Sequence, residues 1–170
     1  MADDQRFFFL DLTKANVHGG SQKTGHLDWL ELDNWDFSMS QQAQPNTKGG
    51  RPTKTSAVGS FSFTIKHNGP SIFRNVAKNE FHQVPVTFEA ERGGLKATAG
   101  GGFKTTGTYL QLVFTNVVIA SRHISGDDGI KTENISLAFE QVQMTYRQVV
   151  DGVLGSALTS TYDTKANQAS

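Results

Sequence analysis

The chain of 170 residues contains no cysteine, and its sixteen basic residues balance sixteen acidic ones, so its net charge is zero. The missing cysteine excludes disulfides and thiolate zinc sites. The zero net charge removes the long-range attraction on which binding to nucleic acid or to an anionic membrane depends. A chain of this length buries about 70% of its unfolded surface as one domain, without cross-links. We therefore expect a single domain, residues 1–170, that neither binds nucleic acid nor inserts into a membrane.

Long apolar runs are also missing. The apolar stretch Phe7–Leu10 follows a polar, acidic start and is too short for the core of a signal peptide or for a membrane span. If the protein leaves the cell that makes it, we expect a route without a cleaved signal peptide.

The clearest strand pattern lies in Gly126–Arg147. Apolar and polar residues alternate there, and the alternation changes parity near Glu140 and Gln141. Because successive side chains of a strand point to opposite faces, this predicts one long antiparallel strand bent by a β-bulge. The turn signal Asp127-Asp128-Gly129 predicts a hairpin that pairs this strand with residues 119–125. The alternating apolar residues are Ile135, Leu137, Phe139, Val142, Met144 and Tyr146.

Alternation predicts further strands before this hairpin, with a second bulge or kink at Asp33-Asn34. A helix of two to three turns is predicted to begin at Pro70. Residues 148–170 lose the pattern and are expected to form a C-terminal tail, with a short strand at Tyr162-Asp163. The fold class is therefore mainly β, a two-sheet barrel or sandwich with one short α-helix on its side. The other predicted strands are Phe7–Leu12, His26–Ser40, Phe61–Ile65, Val84–Glu91 and Tyr109–Ala120.

Three polar segments are predicted as connections: residues 13–25, Gln41–Gly59 and Arg92–Gly107. Since Gln41–Gly59 is long for a plain connection and carries local positive charge, two readings stay open. It is either a solvated loop or an arm that contacts another subunit. The residues proposed for such contacts are Gln44, Pro45, Lys48, Arg51 and Lys54.

The first strand has an apolar residue on both faces. Phe8, Leu10 and Leu12 share one parity, and Phe7 and Phe9 share the other. We expect the two phenylalanines to be covered by a second sheet or by a neighbouring subunit.

Nothing in the sequence matches a catalytic, cofactor or metal-binding motif. The glycine pairs of Arg92–Gly107 lead into a strand, whereas a phosphate-cradling loop leads into a helix. The aspartates before Gly129 lack the other oxygen ligands of a calcium loop. The histidines lie at no ligand spacing, so surface or strand-end roles are favoured for them. They are His18, His26, His67, His82 and His123.

Five segments, spread over most of residues 7–147, carry short motifs in a characteristic order. They are Gly25–Leu32 with Trp35 and Met39–Gln41; Ser62–Lys66; Pro70-Ser71; Tyr109–Ser121; and Thr132–Leu137 with Phe139, Gln141-Val142 and Tyr146. Together they resemble the haemolysin-coregulated protein family, the tube subunits of bacterial type VI secretion systems.

This resemblance implies a non-enzymatic structural protein without a cofactor, in which six copies close into a ring and rings stack into a hollow tube. The implied partners are further copies, the contractile sheath, spike and baseplate proteins, and secreted effectors that travel inside the ring. The implied location is the bacterial cytoplasm, with export to the extracellular space or a target cell. Because the family's extended loop after its second strand contacts a neighbouring subunit or ring, the resemblance favours the contact-arm reading of Gln41–Gly59.

The resemblance also suggests roles for single residues. By analogy, Ser121 and Arg122 are expected near the channel surface. Ser136, Ala138 and Gln143 point away from the predicted core and are further candidates for a channel lining. The residues predicted to have structural roles are Pro70, Asp127, Asp128, Gly129, Phe139 and Tyr146.

Two other functions remain open from the residues alone. One is a non-catalytic β-sandwich module that binds carbohydrate through Trp29, Trp35 or Tyr162, since aromatic rings offer platforms to sugars. The other, less favoured, is an enzyme with a hidden His/Asp site.

Overall fold

Strands make up most of the computed structural model, which describes residues 5–44, 53–66, 84–96, 104–127, 130–164 and 168–169. The helix predicted at Pro70 lies outside these ranges. Within them, a 3-10 helix covers Thr13–Ala15, and no helix has the length and apolarity needed to cross a membrane. The strands are β1 (Arg6–Asp11), β2 (Leu30–Glu31), β3 (Asn34–Gln44), β4 (Thr53–Lys66), β5 (Val86–Lys96), β6 (Lys104–Thr115), β7 (Val118–Asp127), β8 (Ile130–Ala138), β9 (Gln141–Val150), β10 (Val153–Asp163) and β11 (Gln168–Ala169).

These strands form two antiparallel sheets that pack face to face. The seven-stranded sheet has the order β11-β10-β9-β6-β5-β1-β2, and the four-stranded sheet has the order β3-β4-β8-β7. Alternate residues of both sheets are buried between them, as in a sandwich. The prediction of a mainly β, two-sheet fold is confirmed as a sandwich, and its described strands do not close into a barrel.

The core is rich in aromatic rings contributed by both sheets. The ring of Phe61 lies 5.0 Å from those of Phe88 and Phe114, and Trp35 lies 4.8 Å from Phe88. The ring of Phe139 also packs on this cluster, with its centre 4.8 Å from that of Phe114. The tilted ring pairs add specific contacts to the burial of large apolar surface.

Parity changes in the sequence mark places where the chain passes from one sheet to the other. The chain leaves the seven-stranded sheet at Asp33 and at residues 116–117, and re-enters it at residues 139–140. Because the two sheets face each other, crossing between them reverses which side of the chain faces the core. The bulge predicted near Glu140 and Gln141 is therefore a crossing between the sheets, and at Asp33-Asn34, where a bulge or kink was predicted, the chain bends at Asp33. For the same reason, the predicted strand Tyr109–Ala120 is divided between β6 and β7.

Residues 12–29 cover the outer face of the seven-stranded sheet beside β1 and β5. The N–H of Gly19 donates to the Asp28 carbonyl at 2.6 Å, and a Cβ at this glycine would collide with the Trp29 carbonyl. Val17 is buried within this segment, and Phe9 of β1 is buried beneath it. The cover predicted for Phe9 therefore comes from the chain's own connection.

Residues 26–29 form a turn, which corrects the start of the predicted strand His26–Ser40. They belong to the covering segment. Its two ends are joined by a hydrogen bond from the N–H of Ser21 to the Trp29 carbonyl at 3.2 Å. The first paired residues after the turn are Leu30 and Glu31 in β2.

Two of the predicted connections are largely strand. The loop prediction for Gln41–Gly59 is wrong at both ends, since Gln42 pairs with Ser56 and Gln44 with Thr53, and only residues 45–52 lie outside the described part. Likewise Arg92 pairs with Gly107, so β5 and β6 extend into the predicted Arg92–Gly107 connection. Backbone pairing needs no apolar side chains, so strands of this kind carry no alternation.

The predicted C-terminal tail is also wrong. Residues 153–163 form β10, which pairs along β9 with Leu158 opposite Tyr146 and Tyr162 opposite Val142. Gln168–Ala169 adds a last short strand. The seven-stranded sheet thus gains two strands at one side.

The predicted hairpin is present, because Asp127 of β7 pairs with Ile130 of β8. Asp128 and Gly129, the turn residues themselves, lie outside the described residues. The expected partner strand, residues 119–125, is within β7.

Candidate functional site

The outer face of the four-stranded sheet is covered with short hydroxyl and amide side chains. The Oγ atoms of Ser38 and Ser60 lie 2.8 Å apart, and Thr64 Oγ1 donates to Asn134 Oδ1 at 2.7 Å. Such cross-strand pairs hold the side chains close to the sheet. We call this surface the hydroxyl face; its members include Asn34, Asp36, Ser38, Ser60, Ser62, Thr64, Ser121, His123, Asn134, Ser136 and Ala138.

Three of the residues predicted to line a channel share the hydroxyl face. Ser121 pairs with Ser136, and Ala138 pairs with Ser60. Gln143 does not join them, because it lies on the outer face of the seven-stranded sheet, where its amide donates to Thr161 Oγ1 at 3.4 Å. The predicted set is therefore divided between two surfaces.

Arg122 has a different orientation from Ser121. It pairs with Ile135 and points inward, where its Nε and Nη2 each donate to a carboxylate oxygen of Glu133 at 2.7 Å. The side chain of Glu133 is 0% exposed and that of Arg122 is 5% exposed. The bulge between Ile119 and Ser121 shifts the parity of β7 and thereby turns Arg122 toward the core, while its position relative to a channel stays a prediction.

Two of the candidate contact residues lie at the far end of the described β3–β4 pairing. Gln44 and Lys54 belong to the last paired positions of β3 and β4. Pro45, Lys48 and Arg51 lie outside the described residues.

An apolar surface extends from the core along β9 and β10. Met144, Tyr146 and Leu158 lie on the same face as buried Val142 but are 36%, 43% and 70% exposed, because the facing sheet does not cover them. We call these three residues the apolar patch. Tyr146, for which a structural role is predicted, has the inward parity expected from the sequence but lies beyond the covered core.

The carbohydrate-platform reading finds no support in the placement of the aromatic residues. Trp35 packs between the sheets against Phe8 and Phe88. Trp29 lies on the other side of the seven-stranded sheet, edge-on to His26. Since the two tryptophans face different regions, they form no shared platform for a sugar.

Sequence reasoning missed a buried polar cluster between residues 12–29 and β5. His26 Nε2 lies 2.8 Å from Glu89 Oε2, and Lys23 Nζ contacts Glu91 Oε2. Glu89 and Glu91 lie on one face of β5, and this i, i+2 spacing of acids was the visible signal. Their partner His26 is 63 residues from Glu89, so the pattern of β5 alone did not identify it.

Comparison with known proteins identifies the family. Over residues 9–146 the chain matches the family model described as "Type VI secretion system effector, Hcp". No curated protein matches the chain. One similar solved structure is Hcp1 from Salmonella typhimurium, with 23% identity, a TM-score of 0.70 and 100% of both chains covered. A second is a type six secretion system protein, with 16% identity, a TM-score of 0.75 and coverage of 98% of this chain and 100% of that chain. A third is a type VI secretion system effector from Yersinia pestis, with 16% identity, a TM-score of 0.60 and coverage of 94% of this chain and 99% of that chain.

At these identities the solved structures show a shared fold, and the family model shows the family. The match covers most of the chain, including both sheets of the sandwich. The resemblance stated from the sequence motifs is thereby confirmed. The chain belongs to the Hcp family of type VI secretion system effectors.

Proposed function

We propose that this protein is a structural subunit of the type VI secretion inner tube. Six copies close into a ring, rings stack into a tube, and secreted effectors travel inside. The observation that carries the proposal is the Hcp family match over residues 9–146. The further partners are the contractile sheath, spike and baseplate proteins. The protein acts from the bacterial cytoplasm and is exported to the extracellular space or a target cell.

A ring needs a heterologous interface, in which one surface of each subunit meets a different surface of the next. The apolar patch supplies one such surface, since Leu158 is 70% exposed beside Tyr146 and Met144. Burial of a leucine of this kind stabilises an interface by about 1.5–3 kcal/mol. We assign the apolar patch to contact between neighbouring subunits.

The hydroxyl face is the candidate lining of the channel. Most of its described members are short and uncharged, with Asp36 and His123 as the exceptions, so most of the face offers a passing protein weak, exchangeable hydrogen bonds in place of ion pairs. Ser136 lies on the inner strand β8, and Ser121 lies beside it on the edge strand β7. Gln143, on the other sheet, is assigned to the outside of the ring.

The end of the β3–β4 hairpin, with Gln44, Pro45, Lys48, Arg51 and Lys54, is proposed to contact a neighbouring subunit or ring. Support comes from the length of the hairpin, since β3 and β4 continue to pair as far as Gln44 and Thr53. An arm of this length reaches beyond the residues that form the core.

Replacing Leu158 by glutamate tests the interface. We expect Leu158→Glu to fold normally but to sediment as a monomer, whereas the wild type forms rings in negative-stain microscopy, because a charge buried at the interface has no partner. The matched control is Leu27→Glu, another leucine with high exposure, at 60%, but outside the apolar patch. Rings formed equally by both variants would remove the apolar patch from the interface, and a monomeric wild type at high concentration would overturn the tube proposal.

A further inference from the structure

The imidazole of His26 is held rigidly on the outer face of the seven-stranded sheet. Its ring stacks on Phe9 with centroids 4.3 Å apart and meets Trp29 edge-on at 4.7 Å. The side chain is 6% exposed. Because aromatic rings restrain it on two sides, its nitrogens keep fixed directions.

The two ring nitrogens have different surroundings. Nε2 lies 2.8 Å from Glu89 Oε2, within hydrogen-bond distance. Nδ1 has no hydrogen-bond partner among the described residues, and it faces Glu91 Oε1 across 3.8 Å. This gap is too long for a hydrogen bond. It is close to the separation of about 3.4 Å between two ligand atoms on one tetrahedral zinc ion.

Glu89 is arranged as the partner that orients a metal-binding histidine. Gln111 Nε2 donates to Glu89 Oε1 at 2.7 Å, and Thr108 Oγ1 donates to Glu89 Oε2 at 3.2 Å. A histidine that binds a metal through one nitrogen commonly donates its other N–H to a carboxylate that is itself hydrogen-bonded. The bond from His26 Nε2–H to Glu89 leaves Nδ1 with its lone pair directed away from Glu89.

A cation already lies beside this pair of groups. Lys23 Nζ contacts Glu91 Oε2 and lies 4.5 Å and 5.0 Å from the ring centres of Phe7 and Phe9. The Lys23 side chain is partly exposed, so its flexible stem can move the ammonium group into solvent. Its departure would leave both oxygens of Glu91 free to bind a metal ion.

We propose that His26 and Glu91 bind a divalent transition-metal ion, with zinc as the preferred occupant in cells. His26 Nδ1 and the Glu91 carboxylate are the ligands, Glu89 is the orienting residue, and water completes the coordination. One ligand atom from each of these three side chains lies within 4.8 Å of the others. An imidazole and a carboxylate together suit zinc, whereas calcium and magnesium prefer oxygen ligands alone. Bound metal would attach residues 12–29 to β5, independently of the proposed tube function.

Calorimetric titration of the full-length, chelator-treated protein with zinc chloride tests this site. We expect one zinc ion per chain. His26→Gln and Glu91→Gln should each weaken zinc binding by at least about tenfold. Loss of a residue that only orients a ligand already weakens metal binding by about this factor, and these two variants remove the ligands themselves. The matched control is His123→Gln, which removes an exposed histidine on β7 and should leave the affinity unchanged. Lys23→Met should bind zinc more tightly, because it removes the competing ammonium group.

A second measurement uses wild-type protein only, so it tests the site even if a variant does not fold. In wild-type protein, zinc should shift the NMR signals of the His26 ring and leave those of His123 in place. Cobalt chloride should give visible absorption bands that zinc removes. The absence of stoichiometric zinc binding would overturn the proposal. Equal loss of affinity in His123→Gln, or no gain in Lys23→Met, would also overturn it and would leave the cluster as ion pairs alone. Ring formation by these variants serves as a separate readout of the tube proposal.

Discussion

Among the charged groups within the sandwich, Glu133 and Arg122 form a bidentate ion pair. Taking two charges out of water costs several kcal/mol per ion, and good geometry with two hydrogen bonds offsets that cost. The pair is therefore weak evidence for added stability, yet each member depends strongly on the other. Its position on β7 and β8 puts it inside the protein.

Removing one member of this pair should destabilise the protein more than removing both. We expect Glu133→Gln and Arg122→Met each to lower the free energy of unfolding by about 3–5 kcal/mol, because the remaining group loses its buried partner. The double variant with Arg122→Met and Glu133→Gln should lose clearly less than the sum of the two single losses. Urea unfolding measures these differences. Arg147→Met, at an exposed arginine, should change stability by less than about 0.5 kcal/mol. Additive losses in the double variant would show that the two side chains act separately.

At the level of strands, the alternating pattern predicted well where the apolar strands lie in the chain, but it predicted poorly which of the two sheets each strand joins. The strand at residues 7–12 and the β7–β8 pairing were both predicted, since each depends on neighbours along the chain. The division of 126–147 between β8 and β9 was missed. A parity change has the same signature whether the chain forms a bulge or crosses to a facing sheet.

Gly59 of β4 provides a test of how the sheets fit together. A Cβ at this position would overlap the ring of Phe139, which packs on Phe37 and Phe114. We expect Gly59→Ala to lower the free energy of unfolding by about 1–3 kcal/mol, as overpacking does in dense cores. Gly20→Ala is the matched control, because a Cβ there meets nothing within 4 Å, and its effect should stay within about 0.5 kcal/mol. Equal stability of both variants would show that Phe139 can move without cost.

At the scale of the whole molecule, the sandwich presents two outer faces of different character. One is the hydroxyl face, and the other is partly covered by residues 12–29. In a closed ring only one of these faces can line the channel. The proposal assigns that position to the hydroxyl face.

The absence of native cysteine makes this assignment testable by labelling. Ser121→Cys places a thiol on the hydroxyl face, and Gln143→Cys places one on the opposite sheet. In assembled rings, a bulky polyethylene-glycol maleimide should react slowly at position 121 and rapidly at position 143, because the channel restricts the larger reagent. N-ethylmaleimide should label both. Adding Leu158→Glu to each variant provides the monomeric control, in which the difference should disappear. A slow reaction at position 143 instead would reverse the assignment of the two faces.

The sequence alone determined the positions of the apolar strands and the core parity of residues such as Leu137 and Phe139, because alternation is local in the chain, and its ordered short motifs indicated the family. Tertiary structure decided which sheet each strand half joins and which distant charges meet. Arg122 turned inward to Glu133, and His26 came to lie against Glu89 and Glu91 across more than sixty residues. The physical reason is that alternation records the burial of a face, whereas pairing of distant strands depends on how the whole chain packs.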